Sequence, residues 1–243
     1  MSRLSTSQNF IQPAIPVNSA GAGAPPLPQW VLALPGVPHL VSRLGVTEFR
    51  RRLFHMTPAL LPVGLPIIPH SDVWGPTLVT IIFILSISAL VLAVTFGHLM
   101  KRRREENWME AVVGYMVPVL LPLVIFPGRA EFGLMTLQII ALGDGSATLG
   151  GIMLGGRRLP WNRSKTFSGL FCFAIVGTLA STYSFWGESR PAIPVGSAFL
   201  ICGTAALLAA FVESLPIRSN DNLRVGVTAL FTGVLMSQLL SSF

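Results

Sequence analysis

The sequence predicts an all-α protein, a polytopic bundle of about seven transmembrane helices. Three observations carry that reading. Of 243 residues, 51% are hydrophobic and only 11% are charged, and the mean hydropathy is +0.65. A soluble domain carries about 25% charged residues, so these few cannot cover a water-soluble globule of this length. The apolar residues come in runs near the roughly 20 that a helix needs to cross a bilayer, and the basic residues gather between those runs.

Residues 1–45 are rich in Pro, Ala, Gly, Ser and Gln and contain no run resembling a signal peptide. Such a composition cannot pack a core and reads as a disordered tail. Residues 46–243 read as the membrane domain. The first apolar run, 56–69, is short and broken by Pro58, Pro62, Pro66 and Pro69. At about 1.5 Å per residue it barely reaches across a bilayer, and a re-entrant course is open to it. Run 75–100 is long, uncharged and stopped by Lys101, Arg102, Arg103 and Arg104. Run 109–127 follows, then 131–156, which carries Asp144 and many glycines. Runs 166–186, 192–212 and 223–243 complete the set.

A net charge of +7 would suggest nucleic acid in a soluble protein. Here it reports orientation. If the tail is cytoplasmic and all seven runs cross, every one of the 17 Lys and Arg residues except Arg129 and Arg190 faces the cytoplasm. No nucleic-acid partner is needed to explain the charge. The same count puts the C-terminus outside and requires 56–69 to cross. Cys172 and Cys202 lie within apolar runs and offer neither metal spacing nor a disulfide framework.

Four polar groups then fall on the cytoplasmic face. The first is Arg51, Arg52 and His55; on a helix Arg51 and His55 share a face. The second runs from Gly143 to Gly151 around Asp144. A carboxylate in an apolar segment is costly and marks function by default. The neighbouring glycines let backbone N–H groups approach an anion, and Ser146 and Thr148 add hydroxyls. The third spans Gly155, Gly156, Arg157, Arg158, Arg163, Lys165, Thr166 and Gly169. Lys supplies a point charge and Arg a bidentate fork for phosphate, though the P-loop spacing is absent. The fourth is Glu213 with Asp221 and Asn222. These two carboxylates and Asp144 suit a hard cation such as magnesium, which takes few carboxylates together with substrate phosphates. Together the groups point to a nucleotide-phosphate site at the membrane surface, built from the parts of phosphoryl transfer.

These residues resemble the CTP-dependent lipid kinases, namely dolichol kinase, phytol kinase and the CTP-using diacylglycerol kinase, with a more distant similarity to phosphatidate cytidylyltransferases. The family's Arg-basic-x-x-His matches Arg51, Arg52 and His55. Its Asp-x-x-Ala-x-x-x-Gly matches Asp144, Ala147 and Gly151. Its Lys-Ser/Thr-x-Glu-Gly matches Lys165, Thr166 and Gly169, with Ser168 where the family has Glu. The late Glu and Asp-Asn match Glu213, Asp221 and Asn222.

The resemblance implies transfer of the γ-phosphoryl group of CTP to the hydroxyl of a lipid alcohol, with Mg²⁺. Asp144, Glu213 and Asp221 are then the metal ligands. Asp144, Lys165, Asp221 and His55 are the catalytic set, with Asp221 and His55 as candidate bases. Arg51, Gly145, Ser146, Ala147, Gly151, Arg157, Arg158, Thr166, Gly169 and Asn222 bind the nucleotide, the backbone from Asp144 to Gly151 cradling phosphate. Two other functions stay open: a phosphatidate cytidylyltransferase making CDP-diacylglycerol, and a transporter built on broken, glycine-rich helices.

Overall fold

The computed structural model describes residues 26–67, 84, 88, 91, 108–126, 128–217 and 219–241. All regular elements among them are helical, apart from one isolated bridge between Arg158 and Thr166. The expected span 75–100 and the basic cluster 101–104 fall outside the described residues, save three helical positions.

Two short helices, α1 (Val37–Leu44) and α2 (Val46–Met56), precede the bundle. Residues 29–44, assigned to a disordered tail from composition, thus contain helix. Gly36 and Gly45, at φ +81° and +79°, supply the left-handed turns that flank α1. Leu40 and Phe49 are buried and anchor the pair.

The bundle proper has α3 (Trp108–Ile125), α4 (Ala130–Met153), α5 (Phe167–Glu188), α6 (Val195–Ser214) and α7 (Asp221–Ser241). The last four are each long and apolar enough to cross a membrane, and Val112–Ile125 is a shorter apolar helix. The protein is an integral membrane protein. Three of the helix ends have a clear local cause. Thr166 caps α5 by accepting from Gly169 N at 3.1 Å, and the Asn220 side chain accepts from Leu223 N at the start of α7. Leu215 and Pro216 end α6 in extended backbone.

The core lies between α4, α5, α6 and α7. Met135, Ile139, Ile140, Phe173 and Val225 are enclosed there, together with Ala205, Ala206 and Ala209 of α6. Apolar side chains gain nothing by leaving lipid for one another, so close backbone approach and dispersion must hold such helices together. The small residues supply that approach. A Cβ at Gly226 would lie 2.5 Å from Pro118, and one at Gly177 3.4 Å from Ala206.

The proline-broken run is not one helix. It is three short turns, Thr57–Ala59, Leu60–Gly64 and Leu65–Ile67. Pro62 and Pro66 lack the N–H that would bond carbonyls three and four residues earlier. The carbonyls so freed include those of Ala59, Pro62 and Val63. Side chains of the neighbouring helices take all three: Gln138 Nε2 donates to Ala59 O at 3.4 Å, Ser184 Oγ to Pro62 O at 3.2 Å and the Tyr183 hydroxyl to Val63 O at 3.3 Å. In an apolar medium such carbonyls need internal donors. Removing two of these donors, as Gln138→Leu with Ser184→Ala, is expected to cost about 1–3 kcal/mol per orphaned carbonyl. Thermal unfolding in detergent measures it, with Thr204→Ala as control. Among the described residues the Thr204 hydroxyl bonds within its own helix, to Leu200 O.

The broken run also has a direction. His55 meets Ile140 and Asp144, whereas Pro66 packs on Gly187 near the other end of α5. Asp144, Thr166, Glu213 and Asp221 gather at the His55 end. Arg129, Glu131, Glu188 and Arg190 mark the opposite end.

Candidate active site

A cavity of about 1160 Å³ opens at the His55 end of the bundle. It has two poles, both charged.

The inner pole forms where α2 meets α4. Residues Ile139–Asp144 of α4 are wound as a π-helix. This wide turn is a common feature of functional sites. His55 Nε2 donates to the carbonyl of Ile140 within it, at 3.2 Å, and lies 3.5 Å from Asp144 Oδ2. That bond requires the hydrogen on Nε2. Arg52 Nη1 reaches Asp144 Oδ2 at 3.2 Å. Tyr115 sets its ring edge-on to His55 at 4.9 Å and donates from its hydroxyl to the His55 backbone carbonyl.

Burial pulls the His55 pKa below its ordinary value of 6.5; the Asp144 carboxylate opposes this, and Arg52 and Arg51 add to the lowering. The unfolded chain therefore binds the proton more tightly than the folded one. The stability this confers is complete above about pH 6.5 and is lost as pH falls from there through the folded pKa. The melting temperature in detergent is expected to fall between pH 7.5 and 5.5, and His55→Gln to flatten that dependence.

The outer pole is the 155–166 loop against the end of α6. Gly155 and Gly156, at φ +61° and +106°, turn the chain out of α4. The loop closes on itself through Leu159 N to Lys165 O at 2.9 Å and Phe167 N to Arg157 O at 3.1 Å. Three side chains then tie it to α6. Trp161 Nε1 donates to Ser214 Oγ at 2.9 Å, Asn162 Nδ2 to Ser214 O at 3.0 Å, and Lys165 Nζ to Glu213 Oε1 at 2.5 Å and to the Glu213 carbonyl. A cation at a helix C-terminus is where the last carbonyls favour it. Asp221 pairs with Arg224 at 2.7 Å on α7.

Most of the residues singled out from sequence line this one cavity. Asp144, His55, Arg51, Ala147 and Gly151 lie on the inner side, and Arg158, Lys165, Thr166, Gly169, Glu213, Asp221 and Asn222 lie towards the outer loop. Gly145, Ser146 and Arg157, expected to bind the nucleotide, do not line it, and neither do Gly143 and Arg163. The expected backbone cradle from Asp144 to Gly151 is also absent, because Gly145–Met153 is helix and its N–H groups are spent inside it. The glycines serve packing instead. A Cβ on Gly145 would strike Met56 at 2.6 Å, and one on Gly169 would lie 2.7 Å from Ala147 O. Ser146 Oγ bonds Gly143 O and Cys172 O, and Arg157 is exposed. Ser168, where the family has Glu, donates to Gly155 O and closes the loop.

Arg52, marked in the sequence beside Arg51 and His55, also lines the cavity, as does Asn220 next to Asp221. Arg43 and Ser219 line it too and carry no such mark in the sequence; the stretch around Arg43 reads as tail.

Each carboxylate of the expected metal set faces a protein cation: Asp144 faces Arg52, Glu213 faces Lys165, and Asp221 faces Arg224. Among the described residues no three His, Cys, Asp or Glu side chains group closely enough to cage a metal. Carboxylates spread around a cationic cavity fit a magnesium ion that arrives on phosphate, since Mg²⁺ keeps few protein ligands.

No family model matches the chain, and neither does any solved structure. Among curated proteins it is 26% identical over 198 residues to "Probable phytol kinase 3, chloroplastic" of Glycine max, covering 76% of this chain and 62% of that protein. It is 29% identical over 147 residues to "Farnesol kinase, chloroplastic" of Arabidopsis thaliana, covering 58% and 48%. It is 26% identical over 213 residues to "Probable phytol kinase 2, chloroplastic" of Oryza sativa subsp. japonica, covering 81% and 69%. The chain thus spans between about half and two thirds of the length of these relatives. Their shared kinase naming agrees with the motifs from Arg51 to Asn222, and on both grounds the chain is similar to the membrane lipid kinases that include the phytol and farnesol kinases.

Proposed function

We propose that the chain transfers the γ-phosphoryl group of CTP to the hydroxyl of a membrane lipid alcohol, with Mg²⁺ as cofactor. The observation that carries this reading is the cavity itself. Arginines, a lysine and three carboxylates from four separate parts of the chain converge at one end of an apolar bundle. An apolar bundle gathers such groups only for a polar ligand that lipid would reject. The relatives' names favour an isoprenoid alcohol of the phytol or farnesol type; dolichol and diacylglycerol are the other acceptors the resemblance implies.

In this reading Arg51, Arg52, Arg158 and Lys165 take the phosphate charge. Asp144, Glu213 and Asp221 hold the cation, which when bound neutralises charge building on the transferring phosphoryl group. The lipid oxygen forms a bond to the γ-phosphorus, the bond to the β–γ bridging oxygen breaks, and CDP departs. The hydroxyl proton needs an acceptor. His55 has its Nε2 hydrogen on Ile140 O and keeps that nitrogen at the inner pole, 3.5 Å from Asp144. Asp221, whose side chain is 56% exposed at the cavity mouth, is the base. The lipid enters laterally between helices. In this reading the cavity face is cytoplasmic; the gathering of described cations there, with Arg129 and Arg190 at the other end, supports it.

The test is transfer from labelled CTP, ATP, GTP or UTP to phytol, farnesol, dolichol and diacylglycerol, using the protein in lipid nanodiscs. CDP with a lipid monophosphate supports the proposal. Pyrophosphate with a CDP-lipid would make it a cytidylyltransferase, and absence of both nucleotide binding and transfer would favour a transporter.

A further inference from the structure

Glu48 stands in the first turn of α2 and does not line the cavity. Its carboxylate nevertheless accepts three hydrogen bonds from the two arginines that do. Arg51 donates from Nε at 2.8 Å and Nη2 at 2.7 Å, and Arg52 from Nε at 3.1 Å. Arg52 then spends Nη1 on Asp144, 92 residues away in sequence. The chain of contacts is thus one carboxylate, two guanidiniums and the intramembrane Asp144.

An ordinary helix-surface pair would do much less. Solvated i,i+4 pairs hold long side chains loosely and are worth little. Here only 16% of the Glu48 side chain is exposed, and a bidentate fork fixes Arg51 in its plane. Neighbouring helix positions point about 100° apart. Two adjacent arginines therefore diverge unless something between them draws both heads to one point, and their like charges favour that divergence. The Glu48 carboxylate is that point, and burial behind the two heads keeps water from replacing it.

We propose that Glu48 is a positioning residue: it gathers Arg51 and Arg52 so that both guanidiniums face a single polyphosphate chain at the inner pole, with Arg52 still in contact with Asp144. This rests on the reading of the cavity as a nucleotide-phosphate site. Glu48 touches no ligand and acts only through the arginines, so its loss should weaken the hold on phosphate and leave the lipid side alone.

The experiment compares wild type with Glu48→Gln and Glu48→Asp in nanodiscs. Calorimetry reads binding of Mg-CTP and of inorganic tripolyphosphate, and kinetics separate the KM for CTP from that for the lipid. Glu48→Gln is expected to weaken both phosphate ligands about tenfold or more, to raise the KM for CTP in step, and to leave the lipid KM unchanged. Glu48→Asp should recover part of the affinity, because the charge returns on a shorter arm. Equal affinities in wild type and Glu48→Gln overturn the proposal alone. Wild-type protein that binds neither ligand overturns both this proposal and the nucleotide reading. If Glu48→Gln does not fold, Glu48→Asp decides: unchanged affinity for tripolyphosphate with a lowered melting temperature makes Glu48 a merely structural residue.

Discussion

Asp144→Asn is expected to lower lipid phosphorylation by at least about a hundredfold in kcat. The substitution keeps the size of the side chain and removes only its charge. That charge faces Arg52 at 3.2 Å and His55 Nε2 at 3.5 Å. Without it, a cation arriving on the nucleotide loses a carboxylate that the rigid π-turn had aimed at the cavity. Arg52, meanwhile, is left with uncompensated positive charge. Nucleotide affinity in the absence of magnesium should therefore hold or rise while turnover falls. This split separates a catalytic loss from a folding defect, which would lower both. Magnesium titrations of kcat, together with calorimetry of metal-free CTP, read the two effects. Full activity in Asp144→Asn would remove Asp144 from the mechanism.

The gathering of polar groups at one end was legible in sequence for a simple reason. Helices joined by short loops alternate in direction, so alternate loops share a face, and the basic residues mark which face it is. Asp144, Lys165, Glu213 and Asp221 sit beside alternate loops, and the fold brings them to one cavity. What sequence could not supply was rotation. Helix and loop are equally compatible with a run of glycines and hydroxyls, and 145–151 read as a phosphate cradle. In the fold it is helix, its glycines chosen by Met56, Cys172 and Thr166, which lie where Cβ atoms would be. The π-turn just before it resets which residues face inward, so Ser146 turns to α5 and Ala147 to the cavity. No periodicity signals such a turn. The broken run 57–67 was hidden for a related reason. Its prolines announce freed carbonyls, but the donors that take them, Gln138, Tyr183 and Ser184, lie more than 70 residues away in sequence. Of the seven crossings expected from sequence, the described residues contain four helices long and apolar enough to cross a membrane and one shorter apolar helix, Val112–Ile125.

Lys165→Met is expected to abolish measurable transfer and to destabilise the folded protein by roughly 2 kcal/mol. The two effects have different origins and can be separated. Lys165 Nζ bonds both the Glu213 carboxylate and the Glu213 carbonyl, so one ammonium neutralises an enclosed acid and closes the end of α6. Methionine keeps the stem and removes both bonds, leaving a carboxylate with little water to replace them. Removing one partner of a fully buried pair costs about 3–5 kcal/mol; the cavity beside Glu213 lowers that figure, because water and ions can reach one side. The double variant Lys165→Met with Glu213→Gln removes the stranded charge, so most of the stability should return, while transfer stays lost because phosphate still has no ammonium to meet. A double-mutant cycle on unfolding isolates the pair. Recovery of both stability and transfer in the double variant would mean that Lys165 serves only to neutralise Glu213. Retained transfer in Lys165→Met alone would place the phosphate entirely on Arg51, Arg52 and Arg158, and would shift the chemistry to the inner pole, beside Asp144.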